Sequence, residues 1–334
     1  MSAEPIAPPA APKVSVAMIT YNHARYIAQA VESVLAQRTS FPYEIVIGDD
    51  CSTDGTGEIL VSLQARFPDK IRLIRHPVNL GLLGKKNLVA TFAECRGVYL
   101  AYLEGDDYWA DTGKLQRQAD LLDAEPGFIG CFHDIQMLKN GRGPEPYDMK
   151  YPPSVTTVGL PEMLAHGFPH LMTMMYRRAR LATFPAWFYE VCMGDWSLFS
   201  LLVEQGPMAY IRDLPAGVYR IHGSSYWLGK PFVERTLEEI RAYKIFLGSF
   251  PVEQHPRLRQ LGNRHEFWLV DAHLDNRDRR AARRSWRDAL RGWPRHRGEP
   301  LWKVLHYGLR LYAPAVLAAA RSLRDLRHGG PKTS

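Results

Sequence analysis

The chain has few cysteines and lacks the motifs of several common protein classes. Its four cysteines stand far apart and form no CxxC pair, so we expect neither a zinc site nor a disulfide framework, and a reducing compartment fits. No GxGxxG follows the first apolar run, and there is no GxxxxGK[ST], which argues against a dinucleotide fingerprint and a P-loop. No basic-then-apolar signal sequence is visible, and the Pro/Ala-rich residues 1–13 are predicted to be a disordered leader.

Length and composition are those of a soluble globular protein. The 334 residues are 46% hydrophobic and 23% charged, which is enough for one large or two small domains. The net charge of +7 is unevenly placed, because residues 277–334 hold 15 Lys/Arg against 4 Asp/Glu, a local charge of +11, and the remainder carries −4. This asymmetry indicates that the C-terminal part faces an anionic surface, either membrane or nucleic acid.

An acidic turn follows a strongly apolar segment in the middle of the chain. Residues 98–103 predict a strand buried on both faces, which ends abruptly at Glu104, Gly105, Asp106 and Asp107. Three carboxylates at one strand end repel each other, and a divalent cation such as Mg²⁺ or Mn²⁺ would offset them with the oxygen ligands it prefers. The alternative is a solvated turn in which an aspartate caps the next helix.

The segments before this turn alternate between strand and helix patterns. We predict strands over 14–20, 43–48, 71–75 and 98–103, separated by helices over 24–37, 56–67 and 82–95. Such alternation predicts a doubly wound, mostly parallel α/β sheet flanked by helices. Ligands bind beyond the carboxyl ends of its strands, where the polar loops Thr20–His23, Asp49–Thr56 and Glu104–Asp107 should lie side by side.

The elements after the turn are less regular. Further predictions are helices over 114–122, 160–165 and 197–204, strands over 128–138, 171–176, 208–212 and 217–221, and a flexible loop over 140–153. From residue 231 the periodicity is helical, with helices over 231–248, 256–275, 278–291 and 300–327. We therefore predict a catalytic domain over 14–228 and a C-terminal helical extension over 229–328.

The last predicted helix, 300–327, is amphipathic and has Trp and Tyr on its apolar side. Lys303, His306 and Arg310 interrupt every apolar run in it, so it is not a transmembrane span. Its basic charge and aromatic content suit a helix lying in the plane of a membrane surface. The alternative is a helix that packs on the catalytic domain.

Several motifs in sequence order give the chain a family resemblance. They are VSVAMITYNHARYIAQAVESVLAQ, EIVIGDDCSTDGT, NLGLLGKKN, YLAYLEGDDYW with KLQRQ after it, GDW and YRIHGSS. Over residues 14–225 this order and spacing resembles the family 2 glycosyltransferases, and the acidic motif resembles bacterial members that build surface polysaccharides. The resemblance implies a GT-A fold, a nucleotide-diphospho-sugar donor and inversion of the anomeric centre.

The resemblance assigns the nucleotide site to the first two strand ends. Thr20, Tyr21 and Asn22 would border the base. Asp50, with Asp49 beside it, would accept a hydrogen bond from the N3–H of a uracil-like ring, which suits an ionised carboxylate because it only accepts. The alternative is that these aspartates merely cap the helix that follows.

The resemblance also assigns the metal and diphosphate contacts. Asp106 would bind Mg²⁺ or Mn²⁺, and Glu104, which stands where the family usually has aspartate, would reach the metal or the ribose. His222 matches a family position near the metal and the diphosphate, and Arg220 is a further candidate for phosphate. Lys85 or Lys86 would add a positive contact, or would be a solvated helix lysine.

Asp195 matches the family's catalytic aspartate, which would take the proton from the attacking acceptor hydroxyl. Its alternative role is to cap the helix that begins there. The segment 166–176 falls where family members face the acceptor. Its methionines would indicate either an apolar, lipid-linked glycan acceptor or core packing.

The leading hypothesis is a metal-dependent inverting glycosyltransferase of envelope or capsule polysaccharide synthesis. It is expected to be cytoplasmic, with peripheral attachment to the inner face of the plasma membrane as a further option. The competing hypotheses are a nucleotidyltransferase, which would have a Gly-rich basic loop after the first strand, and a non-catalytic membrane-surface assembly protein, which would have a damaged acidic motif. Nucleic-acid binding ranks low because the basic tail has no known motif. The oligomeric state is left open.

Overall fold

A computed structural model describes residues 11–147, 151–181, 183–214, 216–223, 226–314 and 316. Four predictions fall partly outside these residues: the leader up to residue 10, residues 148–150 of the predicted loop 140–153, Ser224 and Ser225 of the YRIHGSS motif, and the predicted last helix at residue 315 and from residue 317 onward. The chain divides into two compact units, Met1–Gly223 and Ser224–Ser334. The first contains the sheets, and the second is helical where it is described.

The first unit alternates strands and helices, as its sequence predicts. Its strands are β1 (Val14–Thr20), β2 (Tyr43–Asp49), β3 (Ile71–Arg75), β4 (Tyr99–Glu104), β5 (Tyr108–Trp109), β6 (Gly130–His133), β7 (Ile135–Lys139), β8 (Arg142–Tyr147), β9 (Thr157–Val158), β10 (Met175–Arg177), β11 (Met208–Ile211) and β12 (Gly217–Ile221). Its helices are α1 (Ile27–Leu35), α2 (Thr56–Arg66), α3 (Lys85–Glu94), α4 (Lys114–Ala124), α5 (Leu160–His166), α6 (Ala186–Glu190) and α7 (Gly194–Val203).

The larger sheet has the strand order β3-β2-β1-β4-β10-β6-β11-β9. Its first four strands are parallel, and β10 runs antiparallel to both of its neighbours. A smaller sheet has the order β5-β12-β7-β8. This mixed α/β arrangement with a parallel half confirms the predicted fold class.

Both faces of β1, β2 and β4 are buried, because helices cover them on each side. Alternate residues of β1 point to opposite faces, so Val16 and Met18 belong to one apolar cluster and Ala17 to the other. The first cluster includes residues of α1, α2 and α4, and the second includes Leu88 and Phe92 of α3. The strands that carry the polar loops are therefore held in place by packing on both faces.

Three predictions in this unit are wrong in detail. The predicted strand 128–138 is two strands, β6 and β7, which belong to different sheets. The predicted flexible loop 140–153 contains β8, an exposed edge strand whose prolines are tolerated because its outer side has no partner strand. The predicted strand 171–176 begins as a 3-10 turn at Leu171–Thr173 and becomes a strand only at β10.

The second unit consists of helices over its described residues. They are α8 (Tyr226–Gly229), α9 (Phe232–Ser249), α10 (His255–Asp275), α11 (Arg279–His296) and α12 (Leu301–Tyr312). The prediction of one helix over 300–327 is wrong in its described part, because α12 ends at Tyr312, two residues before Pro314. In the described ranges, no helix is both long and apolar enough to cross a membrane.

Candidate active site

The carboxyl ends of β2, β1 and β4 lie next to each other at one edge of the larger sheet. Thr20 is the register partner of Asp49, and Ile19 is the register partner of Glu104. The sequence-based prediction that the three polar loops share one edge is therefore confirmed. The candidate site is built on this edge.

The loops after β1 and β2 are hydrogen-bonded to each other. The backbone N–H of Asn22 donates to Ser52 Oγ (2.9 Å), and the N–H of Thr53 donates to Asn22 Oδ1 (2.8 Å). Asn22 and Cys51 both take positive φ angles, 56° and 64°, which Asn tolerates better than most residues. Tyr21 lies beside them with nearly half of its surface exposed. The predicted nucleotide loop is thus fixed in shape and open to ligand.

Asp49 and Asp50 are both buried but have different partners. Oδ1 of Asp49 accepts from the N–H of Ser52 (3.1 Å), and its Oδ2 lies 3.9 Å from Nε of Arg75. Asp49 therefore holds the loop together, and its ligand contact stays a prediction. Oδ1 of Asp50 accepts from the N–H of Leu80 (2.7 Å). None of the described residues hydrogen-bonds to its Oδ2, so that atom is available to a ligand.

Gly105 allows the acidic turn to lie directly against β1. Its N–H donates to the carbonyl of Ile19 (2.9 Å). A Cβ at this position would lie 2.6 Å from Thr20 Oγ1 and 3.0 Å from Cδ1 of Ile27. Only glycine fits this close approach, and it presents Asp106 beside the loop after β1.

Asp106 lies between two histidines. Its Oδ2 is 3.1 Å from Nε2 of His222, which follows β12, and 3.7 Å from Nε2 of His23, which follows β1. The proximity of Asp106 and His222 agrees with the pairing predicted for the metal site. His23 was not predicted, and the only signal for it was a histidine within the first strand-end loop.

Asp107 and Arg220 connect the acidic turn to the smaller sheet. Oδ1 of Asp107 accepts from the backbone N–H of Arg220 (2.7 Å), and the Arg220 guanidinium donates to the carbonyl of Asp106 (2.5 Å) and to Gln29. The guanidinium is buried, and burial lowers the pKa of Arg220 while Asp107 raises it. The Arg220 side chain therefore supports the acidic turn, and its phosphate contact stays a prediction.

The acidic turn has more negative charge than its protein neighbours offset. Burial, followed by the charges of Asp106 and Asp195, raises the pKa of Glu104 to about 8. Burial, followed by the charges of Asp106 and Glu104, raises the pKa of Asp107 well above its usual range. Burial would raise the pKa of Asp106 too, but the hydrogen bond with His222 and the charge of His23 lower it. Such a charge imbalance is what a bound cation would relieve.

The donor set fits a divalent cation that takes part of its coordination from a substrate. Within the part of the chain that the structure describes, no group of three or more His, Cys, Asp and Glu is placed to hold a metal alone. Asp106 and His222 supply two ligand types, and Mg²⁺ in phosphate-transfer sites is commonly held by one or two carboxylates plus substrate phosphates. Nearby, Thr20 Oγ1 and His23 Nδ1 are buried without a hydrogen-bond partner among the described residues.

Asp195 is in the first turn of α7. Its Oδ1 accepts from the N–H of Trp196 (2.8 Å), whereas the cap residue of the helix is Met193. Its charge contributes to raising the pKa of both Glu104 and Tyr219. The Asp195 carboxylate is therefore close enough to the acidic turn for its charge to act on Glu104.

Lys85 is buried at the start of α3 and connects it to the chain segment that carries Asp195. Its ammonium donates to the carbonyls of Phe188 (2.5 Å) and Val191 and to Ser197 Oγ (2.8 Å). Burial lowers the pKa of Lys85 to about 8. The predicted diphosphate contact is corrected, because these three acceptors use all three N–H bonds of the ammonium. Lys86 is exposed, as expected of a solvated helix lysine.

The methionines of segment 166–176 pack in the core. Met172, Met174 and Met175 are buried, and the carbonyl of Met172 accepts from Nε1 of Trp109 (2.9 Å). The core-packing interpretation is therefore confirmed for these side chains, and they give no information about the acceptor.

Comparison with known proteins gives a family match over half of the chain. The profile of Glycosyl transferase family 2 matches residues 15–181. This range contains β1 from Ser15 onward, β2 to β4, the loops after β1 and β2, and the acidic turn.

Two relatives extend the match beyond that range. The chain is 35% identical over 248 residues to UDP-Glc:alpha-D-GlcNAc-diphosphoundecaprenol beta-1,3-glucosyltransferase WfaP of Escherichia coli, covering 73% of this chain and 89% of WfaP. It is 34% identical over 217 residues to an uncharacterised protein of Mycobacterium tuberculosis, covering 64% of this chain. The chain spans about 60% of the length of that mycobacterial relative.

Solved structures share the fold at low sequence identity. Staphylococcus aureus TarS 1-349 in complex with UDP-GlcNAc has a TM-score of 0.56 at 20% identity, over 84% of this chain and 81% of that one. The mannosyltransferase PcManGT from Pyrobaculum calidifontis, in complex with GDP-Man and Mn²⁺, has a TM-score of 0.55 at 17% identity, over 95% of this chain and 81% of that one.

Proposed function

Because the chain belongs to glycosyl transferase family 2, we propose that it is a metal-dependent, inverting glycosyltransferase that uses a nucleotide-diphospho-sugar. The observation that carries this proposal is the cluster at the strand edge. There Asp106, paired with His222, lies beside the loop after β1, and the carboxylate of Asp195 acts on the same acidic turn. A donor site, a cation site and a base are the three parts that such a reaction needs.

The donor would bind with its nucleotide base against the loops after β1 and β2, which are hydrogen-bonded to each other. Thr20, Tyr21 and Asn22 would border the base, and Asp50 would accept a hydrogen bond through Oδ2. A UDP-sugar is the donor we favour, because WfaP is named for UDP-Glc and TarS was solved with UDP-GlcNAc. The structure of PcManGT with GDP-Man makes a GDP-sugar the alternative donor to test.

Asp106 and His222, with Glu104 nearby, would hold Mg²⁺ or Mn²⁺ together with the donor diphosphate. The bound cation would stabilise the charge that develops on the leaving diphosphate. The protein's own contribution is to fix this carboxylate: Gly105 seats the turn on β1, and Arg220 and Asp107 hold it from the other side. A carboxylate that is already held in place does not need to reorganise when charge develops on the leaving diphosphate, so less free energy is spent on reorganisation.

Asp195 would act as the general base. As the bond between the sugar C1 and the diphosphate oxygen breaks, the acceptor oxygen bonds to C1 from the opposite face, and its proton passes to the Asp195 carboxylate. The hydrogen bond from the N–H of Trp196 and the buried contacts of Lys85 would keep this carboxylate oriented. Proton transfer to a positioned base typically contributes about 10²–10⁴-fold to the rate.

The acceptor would be a glycan or a lipid-linked glycan in the synthesis of a surface polysaccharide. WfaP is named for a diphosphoundecaprenol-linked acceptor, and it covers most of this chain. Such an acceptor would place the reaction at the inner face of the plasma membrane, with the protein bound peripherally.

A donor panel tests this function. UDP-, GDP- and dTDP-sugars are each titrated into the full chain with Mn²⁺, with Mg²⁺ and with chelator, and both binding and hydrolysis are followed. We expect one nucleotide class to bind in the presence of metal. If no nucleotide sugar binds with either metal present, the proposed function is wrong.

A further inference from the structure

One face of α12 exposes an apolar stripe. Leu301, Trp302, Leu305, Leu309 and Tyr312 are spaced along one side of the helix, and Trp302 and Leu305 are 68% and 59% exposed. A continuous patch of this kind is uncommon on a protein surface without a binding partner. We call these five residues the α12 stripe.

The opposite face of α12 already provides the packing of the helical unit. Val304, Tyr307 and Leu311 are buried in an apolar cluster that includes Phe267 of α10 and Ala282 of α11. The helix is therefore fixed by its inner face. The stripe is not needed for that packing, and so it requires a separate explanation.

Arginines of α11 border the stripe. The Arg283 guanidinium lies 5.3 Å from the Tyr312 ring, and Arg279 donates to the carbonyl of Leu311 (2.6 Å). Arg283 and Arg287 are exposed, and neither forms an ion pair with a carboxylate among the described residues. Residues 277–334 carry a charge of +11. An apolar stripe with a cationic rim has the two attractions that an anionic lipid surface offers.

We propose that the α12 stripe and the α11 arginines form a docking face for a bilayer that contains anionic phospholipid. The stripe would enter the boundary between headgroups and acyl chains, where Trp and Tyr are favoured, and the arginines would contact lipid phosphates. With 12 residues, α12 is about 18 Å long, which is too short to cross the roughly 30 Å hydrocarbon core of a bilayer. It would therefore lie in the plane of the membrane surface. This inference deepens the proposed location at the membrane and does not depend on the donor or the base.

Charge argues against a second copy of the chain as the occupant. A symmetric dimer through the stripe would bring two arginine rims together, and their mutual repulsion would oppose the association. Anionic phospholipids instead neutralise each rim.

The test is flotation of the full chain with vesicles of phosphatidylcholine alone and of phosphatidylcholine mixed with phosphatidylglycerol. We expect the wild type to float mainly with the anionic vesicles, and less so at high salt. The double variant Trp302→Ser/Leu305→Ser should lose binding by about tenfold or more, because it removes two of the largest apolar contacts. Arg283→Gln/Arg287→Gln should lose the preference for anionic lipid.

Leu237→Ser/Val252→Ser is the matched control, because these side chains are exposed and apolar in the same unit but outside the stripe. It should float like the wild type, and thermal melts confirm that each variant is folded. Wild type that does not float with anionic vesicles, or a stripe variant that floats equally well, overturns the inference. So does a stripe-dependent dimer in sedimentation. Nucleotide-sugar binding by the same samples is measured separately, so failure of one proposal is distinguishable from failure of the other.

Discussion

Replacing Gly105 with alanine tests how tightly the acidic turn is seated on β1. The added Cβ would lie 2.6 Å from Thr20 Oγ1, 2.8 Å from Thr20 Cβ and 3.0 Å from Cδ1 of Ile27. Thr20 is β-branched and sits in a buried strand, so its side chain has little freedom to move away. The strain therefore falls on the turn that carries Asp106.

The expected magnitude follows from these contacts. Relieving the overlap takes a shift of about 0.5 Å or more, whereas metal–ligand distances tolerate only about 0.2 Å. Displacement of Asp106 should weaken Mn²⁺-dependent UDP binding by about 10–100-fold, as for other supports of metal ligands. Overpacking should cost about 1–3 kcal/mol of folding free energy, a melting temperature lower by about 2–10 °C.

Calorimetric titration of UDP with and without Mn²⁺, together with thermal melts, measures both effects. Gly127→Ala is the control, because a Cβ at Gly127 would meet no atom within 4 Å and the substitution should change neither quantity. If Gly105→Ala binds UDP as the wild type does in Mn²⁺ and melts at the same temperature, the close seating of the turn is refuted.

Three further predictions concern single side chains. Asp195→Asn should keep donor binding but reduce transfer by about 10²–10⁴-fold; retained transfer removes Asp195 from the base role. Lys85→Met should lower both the melting temperature and the transfer rate, because three buried acceptors lose their donor. Lys86→Met, its exposed neighbour, should do neither, and equal effects of the two would contradict the assignment. Burial lowers the pKa of Lys114 to about 7. Between about pH 7 and 10, Lys114 is therefore protonated in the unfolded chain but not in the folded chain. Because the unfolded state binds more protons in this range, the free energy of unfolding rises with pH. Lys114→Met should flatten that rise in denaturant titrations at pH 6.5 and 9; an unchanged slope shows that Lys114 is not the buried titrating group.

The parallel half of the sheet is predictable from the sequence because β1, β2 and β4 are buried on both faces and each ends in a polar loop. The elements that were missed carry weaker signals. β8 reads RGPEPY, which is fully exposed and rich in glycine and proline, and such an edge strand depends on its partner β7 rather than on its own residues. β6 and β7 form one apolar run in the sequence, and only the packing separates them at Asp134 into two sheets.

The sequence predicts which residues lie at the candidate site, but it does not predict where each of their side chains points. Asp106 and His222 are 116 residues apart and still pair, because β5, which follows the acidic turn, is paired with β12, which His222 follows. Lys85 and Arg220 were expected to face phosphate, yet both point into the protein, where backbone carbonyls and Gln29 accept from them. A sequence motif shows that a cationic side chain is present, but the atoms that it contacts depend on the local packing.

Metal-dependent donor binding through Asp106 is the central claim, and calorimetry of wild type and Asp106→Asn with a UDP-sugar tests it most directly. The wild type should bind tightly with Mn²⁺ and at least about tenfold more weakly with chelator. Asp106→Asn should remain folded and bind weakly in both conditions. If the variant binds with the same affinity and the same Mn²⁺ dependence as the wild type, Asp106 is not the metal ligand and the proposed site is wrong.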